Sequence, residues 1–290
     1  MSQISNLQSP NLSAFDPLSR ILFADDFDRG LCGWTGLIGN YEHSLDSILP
    51  EYRDLRPPQL SNLSVWDTGT DGSLSGTYAM KLATRPQAGA FSVGIKRATF
   101  RKAGPIRLEA YFTFKPEASE LLLSETDVRA VGVLFDLQSS DTLRGNGAER
   151  VMPHLRYLNA LDGEFAGRWQ FKRKREALEA IGNTGKVRSH FHLADEGWED
   201  IPGGEQLLCY NEIATKQNWH YLRLDVDLAE MAITGFRCND RVFDVSAVEP
   251  MRMPAMANLW CMLNTVFFAE TDRDKRAFLY VDSVVLSGEF

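Results

Sequence analysis

The chain has 290 residues, of which 44% are hydrophobic and 24% are charged, an ordinary balance for a globular protein. Its formal net charge of −8 repels a phosphate backbone, so we expect no nucleic-acid partner. No stretch stays apolar for the length of a membrane span, and the sequence does not open with a basic start and an apolar core. These features predict a cytoplasmic protein with no membrane partner.

Polar residues rich in serine, asparagine and proline dominate positions 1–20 and predict an N-terminal arm. A single domain is predicted over residues 21–290, because no linker or internal repeat divides it. Its first strand is predicted at 21–28, and a long loop follows at 36–76. Beyond that loop the period-two signal is strong. In Ile106–Lys115, apolar and polar residues occupy opposite faces throughout.

The same alternation predicts strands at 78–84, 91–97, 131–138, 151–158, 168–172, 218–228, 232–238, 242–245, 258–269 and 277–286. Turns at Asp162-Gly163 and Asn239-Asp240 connect two pairs of them. Short helices are predicted at 116–125 and 173–181. This pattern predicts an all-β protein, a jelly-roll β-sandwich of two antiparallel sheets with one or two short helices.

Three motifs support a family resemblance. They are Phe23-x-Asp-Asp-Phe-Asp28 followed by Gly33-Trp34, the run Trp219–Asp227, and the closing Tyr280–Ser287. In this order the motifs resemble the concanavalin A-like lectin and glucanase superfamily, including its laminin-G-like members. The resemblance implies a jelly roll whose first and last strands are neighbours. It also implies sugar-binding modules, glycoside hydrolases or polysaccharide lyases as relatives, so it leaves the function open.

A structural calcium ion is the cofactor that the resemblance implies, tying the N-terminal strand to the C-terminal one. Carboxylates are ligands that calcium prefers, and Asp26 and Asp282 are the predicted pair. The alternative is that these acids cap turns or pair with Arg29.

Polar side chains of the central strands predict a carbohydrate or a small polar ligand on the concave sheet, because they combine bidentate donors, acceptors and an aromatic platform. They are Glu109, Tyr111, Asp136, Arg156, Gln170, Tyr221, Arg223 and Asp225. Trp66 and Trp198, which lie in predicted loops, are expected to contact the ligand. Trp260 lies in an apolar run and is expected to be buried. The alternative is that the polar residues form the solvated face of a convex sheet.

Catalysis is the second hypothesis. The Glu-x-Asp-x-Glu motif of the laminarinase-like relatives is absent, which disfavours the usual glycosidase mechanism. A polysaccharide lyase or a glycosidase with a different site would use acid–base groups among His190, His192, Tyr210 and Glu109. The third hypothesis is a structural protein or homo-oligomer, with its strand edges or the apolar stretch 251–268 as the interface. Binding of a carbohydrate without catalysis is the leading prediction.

Overall fold

The computed structural model describes residues 12–36, 56–61, 73–117, 126–139, 150–173, 178–181, 187–190, 196–209, 218–253, 255–256 and 260–290, with backbone alone at 178–181 and 187–190. A 3-10 turn spans Leu12–Ala14. The strands are β1 (Arg20–Asp25), β2 (Gln59–Leu60), β3 (Met80–Ala83), β4 (Phe91–Thr99), β5 (Pro105–Pro116), β6 (Val128–Gln138), β7 (Arg150–Met152), β8 (His154–Leu161), β9 (Glu164–Lys172), β10 (Leu178–Ile181), β11 (Val187–His190), β12 (Trp198–Glu205), β13 (His220–Asp227), β14 (Ala232–Cys238), β15 (Arg241–Phe243), β16 (Met251–Met253), β17 (Met262–Thr271) and β18 (Ala277–Gly288).

In the described part of the chain, two antiparallel sheets of eight strands each form the sandwich. Sheet A has the order β15-β14-β13-β5-β18-β3-β2, with β1 also paired to β18. Sheet B has the order β12-β9-β8-β6-β17-β4, and β7 joins β6 to β16. The short strands β10 and β11 pair only with each other among the described residues. The predicted all-β sandwich is therefore confirmed.

The first and last strands are neighbours, as predicted. Arg20 lies opposite Gly288, and Asp25 lies opposite Val284. At the end of β1, the Asp25 carboxylate accepts a hydrogen bond from Trp34 Nε1 at 2.9 Å. The same carboxylate forms an ion pair with Lys96 Nζ at 2.6 Å. Since Lys96 lies in β4, this pair links the edge of sheet A to the edge of sheet B.

The core lies between the sheets because each central strand turns one set of alternate side chains inward. On β5 the inward residues are Ile106, Leu108, Ala110, Phe112 and Phe114, all buried. Aromatic rings then bridge the two layers. Trp169 of sheet B meets Phe236 of sheet A with ring centroids 4.7 Å apart, and Phe114 meets Tyr157 at 5.9 Å. Alternation on the central strands was thus a sound guide to the core.

Two predictions are corrected by the structure. The helix predicted at 173–181 is wrong, because Leu178–Ile181 is a strand that pairs with Val187–His190 and closes a hairpin. Trp260 is 65% exposed rather than buried, since it precedes β17 instead of lying inside it. The helix predicted at 116–125 falls mostly outside the described residues. In the described part of the chain, no helix is both long and apolar enough for a bilayer crossing.

Candidate functional site

The predicted ligand residues separate into two groups, because they lie on opposite outer faces of the sandwich. Glu109 and Tyr111 of β5 lie opposite Arg223 and Tyr221 of β13, on the outer face of sheet A. Asp225, on the same strand, belongs with them. The second group lies on the outer face of sheet B and consists of Asp136, Arg156, Gln170 and Trp198. One groove cannot contain both groups.

On sheet A, Glu109 is the centre of a buried polar cluster. Its side chain is completely buried, and its Oε1 accepts a hydrogen bond of 2.5 Å from the Tyr221 hydroxyl. The backbone N–H of Asp16, in the N-terminal segment, donates to the same oxygen at 2.8 Å. Burial, followed by the hydrogen bond to Glu109, raises the pKa of Tyr221, so this hydroxyl remains a donor. The chain's own N-terminal segment thus covers this predicted ligand group.

Next to this cluster, the Asp282 carboxylate accepts hydrogen bonds from backbone N–H groups, and in the described part of the chain it makes no hydrogen bond with Asp26. Its carboxylate accepts hydrogen bonds from the N–H groups of Leu74, Ser75 and Ser283 at 2.7–3.0 Å. Burial raises the pKa of Asp282 to about 6, and these donors oppose that rise. Asp26 accepts instead from the N–H of Asp28. Within the described ranges, no three His, Cys, Asp or Glu side chains gather as metal ligands. Calcium at Asp26 and Asp282 remains a prediction.

Substituting Asp282 with asparagine is expected to lower the free energy of unfolding by about 2 kcal/mol. In the parent both carboxylate oxygens accept from backbone N–H groups, whereas the NH2 group of asparagine would place a donor against one of those donors. Urea unfolding, with and without a calcium chelator, measures the loss. Asp240→Asn, at an exposed turn, is the control and should change little. A chelator that destabilises the parent but not the Asp282 variant would favour the calcium ion.

On sheet B, strand register places the outward residues in two adjacent rows, each polar towards β12 and apolar towards β17. Asp200, Gln170, Arg156, Gly132 and Phe268 lie side by side across five neighbouring strands. In the adjacent row, Trp198 lies opposite Lys172. His154 lies opposite Leu134, which in turn lies opposite Val266 on the next strand. Each of these side chains points away from the sandwich core, because its strand neighbours fill that core. The β8–β9–β12 end of this outer face is therefore the polar end.

Trp198 is the central contact of that polar end. The guanidinium carbon of Arg156 lies 4.1 Å from the centroid of the indole ring, and Lys172 Nζ lies 5.3 Å from it. The His154 ring meets Trp198 edge-on at 4.6 Å. These three partners are at least 95% buried, whereas Trp198 keeps part of its surface exposed. We name this group, Trp198 with His154, Arg156, Gln170 and Lys172, the Trp198 face.

Hydrogen bonds hold the Trp198 face in place. Arg156 Nε donates to Gln170 Oε1 at 2.9 Å, and Gln170 Nε2 donates to Asp200 at 2.7 Å. Arg156 Nη1 also lies 3.4 Å from the buried carboxylate of Glu270, which Arg129 pairs with at 2.9 Å. Both ends of the Gln170 amide are thus in use, which fixes its orientation. The result is a preorganised polar surface that ends at the exposed Asp200 on the edge strand.

Beyond Gly132 the outer face of sheet B becomes apolar and is covered. Val93, Ile95, Leu134, Val266 and Phe268 form a second core there with methionines of β7 and β16. Asp136, another predicted ligand residue, lies further along and is engaged by Arg150 through two hydrogen bonds of 2.8 and 3.1 Å. We therefore place Asp136 outside the Trp198 face.

Sequence reasoning missed His154, Lys172 and Glu270. His154 and Lys172 share strand parity with Arg156 and Gln170, and that signal was available. Lys172 also begins the basic run 172–175, a pattern typical of a solvated hairpin end, which conceals its place on the outer face of the sheet. Of the candidate catalytic and platform residues, His192, Tyr210 and Trp66 lie outside the described residues, as does the side chain of His190. Their roles remain predictions.

Comparison with solved structures finds proteins of similar fold at low identity. The cellulose induced protein Cip1 is 11% identical, with 91% of this chain and 96% of that chain covered and a TM-score of 0.43. An endo-β-1,4-glucuronan lyase from the fungus Trichoderma reesei is 7% identical, with 93% and 96% covered and a TM-score of 0.41. Lectin I-B4 from Griffonia simplicifolia, in its metal-free form, is 12% identical, with 92% and 100% covered and a TM-score of 0.35.

Among curated proteins, no match to the sequence is found. The family comparison is more informative, because one family model matches residues 2–290. The chain therefore belongs to the family described as "Domain of unknown function (DUF6772)".

Proposed function

We propose that the chain binds carbohydrate at the Trp198 face, without catalysis. The observation that carries the proposal is the partly exposed Trp198 ring held against the Arg156 guanidinium at 4.1 Å. Sugar rings present apolar C–H faces and a rim of hydroxyl groups. An aromatic ring beside fixed polar groups suits both features.

The rim of the Trp198 face supports the proposal further. Asp200 and Arg168 form an ion pair of 3.3 Å whose side chains are 52% and 41% exposed. They lie next to Gln170, whose orientation is fixed from both ends. The edge of the face thus offers hydroxyl groups one acceptor, Asp200, and one bidentate donor, Arg168, while Gln170 holds Asp200 in position. Exposed polar groups at this edge exchange water for ligand at low cost.

The experiment is a glycan-array screen followed by calorimetry on the strongest saccharide. Trp198→Ala is expected to weaken binding by about tenfold or more, because the stacking surface is removed. Trp260→Ala is the matched control, since Trp260 is more exposed but lies outside the face. Circular dichroism establishes that both variants fold. No saccharide above background, or equal affinity in the Trp198 variant, would contradict the proposal.

A further inference from the structure

Residues 12–18, which we name the N-terminal strap, lie across the outer face of sheet A in the manner of a bound peptide. Its backbone is recognised at four points. The Tyr111 hydroxyl donates to Ala14 O at 3.1 Å, Asp16 N–H donates to Glu109 at 2.8 Å, Leu18 N–H donates to Ser287 Oγ at 2.9 Å, and Arg107 Nη1 donates to Asp16 O. The Phe15 ring meets the Tyr111 ring edge-on at 5.5 Å.

The Asp16 carboxylate occupies an anion site whose two arginines are also held by a residue outside the strap, Asp225. Asp225 accepts from Arg107 Nε at 2.7 Å and from Arg223 Nε at 2.8 Å, so one carboxylate of β13 fixes both guanidinium groups. Each arginine then directs its Nη1 to Asp16, at 2.9 Å from Arg107 and 3.4 Å from Arg223. The Asp16 side chain is 79% exposed, so the carboxylate is held at the surface rather than in the core. A preorganised pair of arginines is a typical carboxylate receptor.

Glu109 supplies the second observation that indicates a ligand. Its Oε1 is used by Asp16 and Tyr221, but its buried Oε2 makes no hydrogen bond in the described part of the chain. A fully buried carboxylate oxygen without a donor is costly. The strap therefore satisfies this face incompletely, and a segment with one more donor at this point would satisfy it better.

We propose that the outer face of sheet A is a recognition site for an acidic peptide segment supplied in trans, with an aromatic residue followed by a carboxylate, and that the N-terminal strap is its internal competitor. The strap is tethered to β1 and has a high effective concentration, on the order of millimolar for a short tether. A free segment displaces it only when the strap is weakened or the segment binds more tightly. This site is separate from the Trp198 face on the opposite sheet.

The test uses the full chain and a fluorescently labelled peptide of residues 12–18, with fluorescence anisotropy as the readout. Asp16→Ala in the chain removes the resident carboxylate, and this variant is expected to bind the peptide at least about tenfold more tightly than the parent. The double variant Asp16→Ala, Arg223→Ala is expected to lose that binding. A peptide with asparagine in place of its aspartate should also bind about tenfold more weakly, because charge-assisted hydrogen bonds are lost.

Hydrogen exchange at residues 12–18 shows whether the strap has loosened in the Asp16 variant. If that variant does not fold, Asp16→Asn gives the same test with less change in shape. A loosened strap without peptide binding would overturn the proposal, as would unchanged protection of the strap or binding that persists without Arg223. Saccharide affinity of the same variants is expected to remain at the parent's level. A failed peptide-binding test on sheet A is therefore distinguishable from a failed saccharide-binding test at the Trp198 face.

Discussion

Replacing Asp25 with alanine is expected to lower the free energy of unfolding by about 3 kcal/mol, a typical cost of breaking a buried ion pair. Asp25 is 7% exposed and accepts both Lys96 Nζ at 2.6 Å and Trp34 Nε1 at 2.9 Å. Removing the carboxylate leaves a largely buried ammonium that keeps the Cys32 carbonyl and the Phe23 ring as contacts but loses its counter-charge. It also leaves the indole N–H of the buried Trp34 without its acceptor.

Chemical denaturation measures this loss, with Glu230→Ala as a control that removes a carboxylate from an exposed turn. The control is expected to stay within about 0.5 kcal/mol of the parent. Lys96→Met, which deletes the other partner and keeps the packing of the chain, should be less harmful than Asp25→Ala. Equal stability of the Asp25 variant and the parent would show that this link between the sheets is not important.

Replacing Gly132 with alanine is expected to cost about 3 kcal/mol, at the upper end of what overpacking costs. A Cβ at this position would lie 2.3 Å from the Phe268 ring and 2.6 Å from the Leu155 carbonyl oxygen. The ring can rotate away only by disturbing the second core. The carbonyl belongs to a neighbouring strand and cannot move without breaking the sheet.

The matched control for this variant is Gly94→Ala, in β4 of the same sheet. A Cβ there would lie 3.1 Å from Sδ and 3.3 Å from Cδ2 of two flexible side chains, Met80 and Leu82. We expect a loss of about 1 kcal/mol or less, because methionine adapts its rotamer. Thermal unfolding of the two variants compares them directly. Similar losses would mean that the backbone carbonyl near Gly132 is not the decisive neighbour.

The sequence predicted the sandwich well, because its central strands alternate over long runs. The alternation of Ile106–Lys115 places every inward residue of β5 correctly. The pairing of β1 with β18 was also foreseeable, because the opening motif Phe23–Asp28 and the closing motif Tyr280–Ser287 resemble the neighbouring first and last strands of a jelly roll. The incorrect helix prediction at 173–181 shows that short segments carry too little periodicity to distinguish a helix from a strand. There the pairing of Leu178–Ile181 with a neighbouring strand overrides local helix propensity.

The predicted ligand residues were grouped by alternation alone, and the structure divides them between two sheets. Alternation tells which side chains of one strand share a face, but strand order decides which strands share a sheet. Arg156 and Arg223 look alike in sequence, yet they lie on opposite sides of the sandwich. The burial of Glu109 by Asp16 is equally hidden, because the two residues are 93 positions apart. Long-range pairing carries this information, and local patterns do not.

The tryptophans illustrate the same difference at single positions. Trp260 begins an apolar run, but the strand starts at Met262 and the indole is left exposed. Trp198 is a predicted ligand residue because a loop was expected at its position, but it begins strand β12. Its real significance comes from Lys172, its cross-strand partner, and from Arg156 beneath its ring.

The most direct test of carbohydrate binding at the Trp198 face is a crystal structure of the chain with the saccharide selected by the array. We expect a sugar ring against the Trp198 indole, with hydroxyl groups within hydrogen-bonding distance of Asp200 or Arg168. A saccharide bound elsewhere, such as on the outer face of sheet A, would contradict it.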